Sequence, residues 1–137
     1  MAATYEVTPL KVDNTLYLCT PHHWVIALDA DSGEEIWKFH PKIDKDISRQ
    51  HQTCRGVSYF DGHQQADAPS ENSAVAASGE QGRVTDPTCQ RRLFLPTGDA
   101  RLIALDPDTG ERCSGFGENG SVNLWANMPH KKDGFYY

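Results

Sequence analysis

The sequence has few basic residues, no long apolar run and no closely spaced pair of cysteines. Lys and Arg number 13 against 19 Asp and Glu, for a net charge of −6. Nucleic-acid binding draws on clustered Lys and Arg, so this balance argues against a polyanion partner. No stretch approaches the ~20 apolar residues of a membrane-spanning helix, and Met1 is not followed by a secretory leader. We therefore expect these residues neither to insert into a membrane nor to target one.

The four cysteines lack the C-x-x-C spacing of a zinc site and the density of a disulfide scaffold. They are Cys19, Cys54, Cys89 and Cys113. Two interpretations remain, one or two disulfides in an oxidising compartment or simply buried thiols. We favour buried thiols, because free cysteine is among the most buried residue types.

A repeat is present. Residues 16–20 (LYLCT) align with residues 93–97 (LFLPT), and residues 25–34 (VIALDADSGE) align with residues 102–111 (LIALDPDTGE). The second match is identical or conservative at all but one position. Each copy has the β-rich runs and turn residues of a strand, loop, strand, turn and strand. Repeated antiparallel sheets of this type predict an all-β fold, a β-propeller.

The turn in each copy has its own chemistry. In residues 29–33 and 106–110, the first Asp can cap backbone N–H groups and the final Gly can supply a positive φ. Pro107 fits such a turn but not a central strand. After the first turn, Trp37 is placed where a large ring would cover the neighbouring sheet. The second copy has Ser114 at that position.

The two copies are farther apart than the ~40–50 residues of a usual propeller blade. Residues 61–88 account for the excess, and they are rich in small, acidic and amide residues with almost no large apolar groups. Such a segment cannot bury a core, so we predict a surface insertion loop without chemistry rather than a functional lid. A propeller needs roughly four or more blades to close. Residues 1–137 are therefore expected to be a fragment of a longer propeller domain.

Polar residues cluster at residues 49–57 (RQHQTCRGV). One loop would present His51 and Arg55 to a bound anion. Arg55 offers a planar fork for a carboxylate, and His51 can hydrogen-bond, exchange protons or stack on a ring. Spacing alone favours a surface histidine and a structural arginine paired with a nearby Asp.

Seven runs, read together, point beyond these general patterns. They are EVTPL (6–10), DNTLYLCTPH (13–22), ALDADSG (27–33), QHQTCRGVSY (50–59), CQRRL (89–93), RLIAL (101–105), and NL with NMP within 123–129. The chain resembles the membrane-bound pyrroloquinoline-quinone (PQQ) dependent glucose dehydrogenases across nearly its whole length except residues 61–88. The run around residues 50–57 is specific to the glucose and quinate branch of these enzymes.

The resemblance implies an eight-bladed propeller with Trp-docking repeats, of which this chain holds early blades. PQQ would lie on the axis above Ca²⁺ or Mg²⁺, whose ligands are outside this chain. Glu6 matches an acidic residue that contacts the cofactor, and His51 matches the histidine that lies against the PQQ ring near the sugar. Arg55 matches the arginine that meets a cofactor carboxylate, and Thr97 matches a cofactor-contacting threonine of related alcohol dehydrogenases. The Asp-Gly that follows in many members is Asp-Ala here, with Ala100 in the glycine position.

The activity implied is oxidation of an aldose, glucose to gluconolactone, with ubiquinone as electron acceptor of the full-length enzyme. The implied location is the periplasmic face of the bacterial inner membrane, reached only through segments absent here. His51 would position substrate and ring, and the catalytic Asp would lie outside this chain, which should be inactive alone. Two alternatives remain: a quinoprotein dehydrogenase for quinate or another polyol, and a non-catalytic propeller scaffold of the outer-membrane assembly type. The scaffold would not need residues 50–56.

Overall fold

The computed structural model describes residues 4–43, 53–62, 89–126 and 128–129. Its strands are β1 (Leu10–Val12), β2 (Thr15–Cys19), β3 (Val25–Asp29), β4 (Glu35–Phe39), β5 (Ser58–Asp61), β6 (Arg91–Pro96), β7 (Arg101–Leu105) and β8 (Ser121–Asn123). They form two antiparallel sheets, ordered β1-β2-β3-β4 and β5-β6-β7-β8. Within the described ranges, no helix is long and apolar enough to cross a membrane. The predicted all-β fold is confirmed, and the two open sheets fit a partial propeller.

The repeat found in the sequence is the β2–β3 hairpin of the first sheet and the β6–β7 hairpin of the second. Beyond the turn the copies differ. In the first copy β4 follows the turn directly, whereas in the second an isolated bridge between Leu105 and Arg112 is followed by a loop. Gly120 closes that loop by donating its N–H to the Phe116 carbonyl at 2.8 Å, and β8 begins at Ser121. The prediction of a strand directly after the second turn is therefore wrong.

The two sheets pack face to face on one buried core. Side chains alternate between the faces of a strand, and one set from each sheet enters this core. Its buried members are Tyr17, Cys19, Val25, Ala27, Trp37, Cys54, Leu93, Leu95, Ile103 and Leu105. A smaller cluster covers the opposite face of the second sheet and consists of Cys89, Ala104 and Cys113 with Phe94 and Phe116 against them. The second sheet is thus apolar on both faces.

Trp37 joins the two sheets. Its indole Nε1 donates to the Pro107 carbonyl at 2.9 Å, and the Tyr17 hydroxyl donates to the same oxygen at 3.0 Å. Burial raises the pKa of Tyr17, so its hydroxyl remains a donor at neutral pH. The indole lies on Gly110, where an added Cβ would come within 2.4 Å of a ring carbon. The expectation that Trp37 covers the neighbouring sheet is confirmed.

The two turns form the same hydrogen bonds. In residues 29–33 and 106–110, the first Asp accepts the N–H of the residue two positions on, at 2.9 and 2.8 Å. The final glycine donates to the carbonyl of that Asp at 2.9 and 2.8 Å, with φ of +75° and +74°. The backbone N–H groups of Ser32 and Asp31 hold the pKa of Asp29 below its usual value. This stabilisation is complete above the ordinary Asp pKa and is lost as the pH falls through the lowered one.

Replacing Gly110 by Ala tests the contact between the sheets. The φ penalty for an L-residue is about 1–2 kcal/mol, and the collision with Trp37 adds an overpacking cost of about 1–3 kcal/mol. Gly33→Ala is the matched control, because Gly33 has nearly the same φ but nothing within 4 Å of an added Cβ. In urea denaturation, Gly110→Ala should lower the free energy of unfolding by about 2 kcal/mol more than Gly33→Ala. Equal losses would show that the indole does not lie on Gly110.

A second prediction concerns Ala100, which is buried and has a φ of +60°. The left-handed region costs an alanine about 1–2 kcal/mol, whereas glycine loses about 0.5–1 kcal/mol of backbone entropy. Deleting its buried methyl group costs about 0.8 kcal/mol more, so Ala100→Gly should change the free energy of unfolding by less than about 1 kcal/mol. The control is Ala104→Gly in β7, a buried strand position where glycine should destabilise. An equal loss of stability in the two variants would contradict the strain at Ala100.

Candidate cofactor site

The site is built from the two segments that lead into the first strand of each sheet. The Thr8 N–H donates to the Arg55 carbonyl at 2.9 Å, and the Thr53 hydroxyl donates to the Thr4 carbonyl at 3.0 Å. The segment before β1 therefore runs beside the segment before β5. The backbone before Leu10 thus bonds to the other entry segment, and β1 begins only at Leu10.

Glu6 and Arg55 meet where these segments run together. The Arg55 Nε donates to the Glu6 carboxylate, with 3.4 Å between Nε and Oε2. Their side chains are 83% exposed for Arg55 and 40% exposed for Glu6. The family resemblance implied that both residues contact one cofactor although they are distant along the chain, and the structure brings them into contact. The guanidinium faces solvent, so its planar fork is accessible to an incoming carboxylate.

The disulfide Cys19–Cys54 fastens this region to the first sheet. Its Cα atoms are 5.9 Å apart, and a second disulfide, Cys89–Cys113, has a Cα separation of 5.8 Å. The expectation of buried thiols is therefore wrong. All four residues are buried as expected, but the fold brings each pair of Cα atoms within the usual range for a bridge. Sequence spacing alone carried no signal for this pairing.

Thr97 lies in the β6–β7 hairpin. Its hydroxyl oxygen accepts the Arg101 N–H at 3.1 Å and also contacts the Asp99 carboxylate. Thr97 is buried, and its hydroxyl is engaged within its own hairpin. β5 begins opposite Phe94, so this hairpin and the segment carrying Arg55 lie at the same end of the second sheet. Thr97 thus shares that end of the sheet with the Glu6–Arg55 pair, with its hydroxyl turned into the hairpin.

Sequence reasoning missed a second ion pair in this hairpin. Arg101 bonds to the Asp99 carboxylate, with 2.7 Å between Nη2 and Oδ2, and donates to the Pro41 carbonyl at 2.8 Å. Both side chains are largely buried. Arg101 therefore connects the hairpin to the chain that leaves β4. The available sequence signal was an acidic and a basic residue two positions apart, Asp99 and Arg101. The sequence could not show that the Pro41 carbonyl lies beside Arg101.

Two predicted features fall partly or wholly outside the described residues. His51 lies outside them, as do residues 63–88 of the predicted insertion. Asp61, the first residue of that insertion, belongs to β5 and pairs with Arg91. The segment therefore connects two neighbouring antiparallel strands. In the parts of the chain that are described, no group of three or more His, Cys, Asp or Glu side chains could hold a metal ion.

Comparison with known proteins identifies the family. The model for the PQQ family, "Glucose/ethanol/alcohol dehydrogenase, beta-propeller domain", matches residues 1–137. The chain belongs to this family. Its PQQ-dependent relatives include quinoprotein glucose dehydrogenase A of Acinetobacter calcoaceticus, 42% identical over 97% of this chain and 16% of the relative. The quinoprotein glucose dehydrogenase of Escherichia coli (strain K12) is 44% identical over 97% of this chain and 15% of the relative.

Two further comparisons concern specificity and fold. The probable quinate dehydrogenase (quinone) of Xanthomonas campestris pv. juglandis is 42% identical over 96% of this chain and 16% of that protein. The quinohemoprotein alcohol dehydrogenase of Comamonas testosteroni shares the fold, with a TM-score of 0.61 and 22% identity over 93% of this chain and 14% of that structure. The chain thus spans about one sixth of the relatives' length. The chain therefore matches a family of dehydrogenases rather than a propeller scaffold.

The residues at this site fit the family's cofactor. PQQ is a flat quinone with carboxylates at its rim, and an arginine fork pairs with a carboxylate through two parallel hydrogen bonds. Arg55 has the required exposure. Glu6 contacts its Nε, which orients the guanidinium without covering it.

Arg55 should contribute little to folding, because exposed ion pairs stabilise by about 0–1 kcal/mol. Arg55→Ala should change the free energy of unfolding by less than about 1 kcal/mol. Arg101→Ala is the contrasting variant, because it removes a half-buried guanidinium that bonds to both Asp99 and the Pro41 carbonyl. It should cost about 2 kcal/mol or more. A large loss in Arg55→Ala, measured by urea denaturation, would assign Arg55 a structural role.

Proposed function

We propose that these residues form one wall of the PQQ site in a longer quinoprotein dehydrogenase that oxidises an aldose, glucose to gluconolactone. The observation that carries the proposal is the exposed Arg55 guanidinium held beside Glu6, in a chain that belongs to a PQQ family. Glucose is favoured because a relative at 44% identity is named as a glucose dehydrogenase, whereas two relatives named for quinate are each 42% identical.

In this proposal PQQ supplies the redox chemistry, accepting the hydrogen and electrons removed from the sugar's anomeric carbon. Arg55 binds a cofactor carboxylate through its terminal nitrogens, while Glu6 keeps the guanidinium oriented through Nε. His51 positions the sugar against the cofactor ring, as the resemblance implies. Thr97 supports the same wall from within the β6–β7 hairpin, where its buried hydroxyl accepts the Arg101 N–H.

The remaining parts of the enzyme belong to the proposal as well. A catalytic Asp and the ligands of Ca²⁺ or Mg²⁺ would come from outside residues 1–137. Electrons would pass from the reduced cofactor to ubiquinone at the periplasmic face of the bacterial inner membrane. Membrane attachment would come from segments other than these strands.

Oxidation of quinate is the second candidate. It is favoured by the relative from Xanthomonas, which is named as a probable quinate dehydrogenase. That relative is 42% identical to this chain, the same identity as the glucose dehydrogenase of Acinetobacter. The two candidates share the proposed cofactor wall, so their difference has to come from residues that contact the substrate.

The cofactor proposal predicts that Arg55→Ala weakens PQQ binding to the full-length protein by about 10- to 100-fold, the equivalent of one or two charged hydrogen bonds. Binding would be measured by isothermal titration of the apoprotein with PQQ in the presence of Mg²⁺. Arg112→Ala is the matched control, because it removes the same charge from an exposed arginine that lies over Phe39. Equal affinities of Arg55→Ala and the wild type would remove Arg55 from the site.

The substrate proposal predicts aldose-dependent dye reduction by the PQQ-loaded full-length protein, with a kcat/KM for glucose above that for quinate. His51→Ala should lower this kcat/KM sharply while leaving PQQ affinity nearer the wild-type value than Arg55→Ala does. The reason is that His51 is assigned to substrate positioning and Arg55 to cofactor binding. A higher kcat/KM for quinate would replace glucose as the substrate, and full activity in His51→Ala would remove that histidine from the site.

A further inference from the structure

The segment that carries Arg55 lies outside any strand. Residues 53–57 precede β5, and three attachments link them to earlier parts of the chain. The Thr53 hydroxyl bonds to the Thr4 carbonyl, and the Arg55 carbonyl accepts the Thr8 N–H. The third attachment is the disulfide between Cys54 and Cys19. The partners in the two hydrogen bonds, Thr4 and Thr8, both lie before β1 and outside the sheet. Of these three attachments, only the disulfide links the Arg55 segment to a strand.

In the first sheet, the disulfide is attached to a residue that is held by strand pairing and by burial. Cys19 is the last residue of β2, it pairs with Val25 of β3, and its side chain is fully buried. Cys54 is 5% exposed and packs in the core shared by both sheets. Arg55 is the next residue, so its Cα lies about 3.8 Å from that of Cys54. Fixing Cys54 therefore limits where the Arg55 side chain can begin.

We propose that the Cys19–Cys54 disulfide is a positioning element of the cofactor site, which holds the backbone of Arg55 so that its guanidinium meets a carboxylate of PQQ. This inference rests on the proposed function. The two cysteines touch neither substrate nor cofactor in it and act through Arg55. The ion pair with Glu6, at 3.4 Å on a largely exposed side chain, orients the guanidinium but does not fix the backbone from which the Arg55 side chain starts.

The second disulfide provides a matched control. Cys89–Cys113 belongs to the cluster on the opposite face of the second sheet. Cys89 precedes the start of β6, whereas the Arg55 segment lies at the end of that sheet where β6 finishes. The two bridges close chain separations of 35 and 24 residues, so the loss of either should relax the unfolded chain to a similar degree.

The test compares two double variants of the full-length protein, Cys19→Ala with Cys54→Ala and Cys89→Ala with Cys113→Ala. PQQ affinity would be measured by isothermal titration with Mg²⁺ present, and far-ultraviolet circular dichroism would check that both variants keep the β-sheet content of the wild type. The first variant should raise the Kd for PQQ at least tenfold, and the second less than twofold. Equal shifts, or no shift in the first variant, overturn the inference.

A double-mutant cycle tests whether the disulfide acts through Arg55. Arg55→Ala should weaken PQQ binding much less in the variant without Cys19–Cys54 than in the wild type, because a mispositioned guanidinium has less binding to lose. Full additivity of the two effects would contradict a positioning role. If the wild type does not bind PQQ, the proposed function fails. If the wild type binds PQQ and the two disulfide variants bind it equally well, the proposed function stands and only the inference about the disulfide fails.

A measurement on the wild type covers the case in which the first variant does not fold. The apoprotein and the PQQ-loaded protein would be treated with a phosphine, which is oxidised as each S–S bond is reduced to two thiols. Alkylation and peptide mass spectrometry then give the reduction rate of each bridge. Both sulfur atoms of Cys19–Cys54 are buried, so the phosphine reaches them only when the segment opens locally. PQQ bound to Arg55 opposes that opening, and it should slow reduction of Cys19–Cys54 at least fivefold and leave Cys89–Cys113 within twofold. Equal protection of both bridges, or of neither, overturns the inference.

Discussion

The indole of Trp37 on the second turn determines how the two sheets meet. Its Nε1 shares the Pro107 carbonyl with the Tyr17 hydroxyl, and its ring occupies the space that a side chain at Gly110 would need. Because the Pro107 carbonyl accepts from both side chains, it fixes the separation and the rotation of the sheets. Moving either sheet would leave a buried donor without its hydrogen bond. The common core of aliphatic side chains then fills the space that this contact defines.

The candidate site follows from that packing. Once the sheets are fixed, the segments before β1 and β5 run side by side, and Glu6 meets Arg55. Glu6 and Arg55 are exposed while Cys54 beside them is buried, so different groups carry the stability and the proposed binding. The core holds the backbone in place, and Arg55 remains accessible to a charged ligand.

Much of the fold could be predicted from the sequence because it is encoded locally. Strand alternation, the Asp caps and the two turn glycines each act over a few residues, and the repeat displays them twice. Trp37 could be assigned to docking because a large ring after such a turn has few other places to be buried. The start of β8 at Ser121 could not be predicted, because a loop closed by Gly120 replaces the expected strand.

The site was predicted unevenly, for a physical reason. Glu6 and Arg55 were selected by resemblance, and their contact depends on how two sheets pack, which no local pattern encodes. The same holds for the pairing of Cys19 with Cys54, since four separated cysteines allow several pairings and buried thiols as well. Ala100 shows the opposite case, because the substitution was visible in the sequence and its positive φ appears in the structure.

The account is tested most directly by an experimental structure of the full-length protein with PQQ bound. It predicts a carboxylate of PQQ within hydrogen-bonding distance, about 3 Å, of the terminal nitrogens of Arg55, with Glu6 still on Nε and the Cys19–Cys54 bridge intact. PQQ bound elsewhere, with the Arg55 guanidinium facing open solvent, would contradict it.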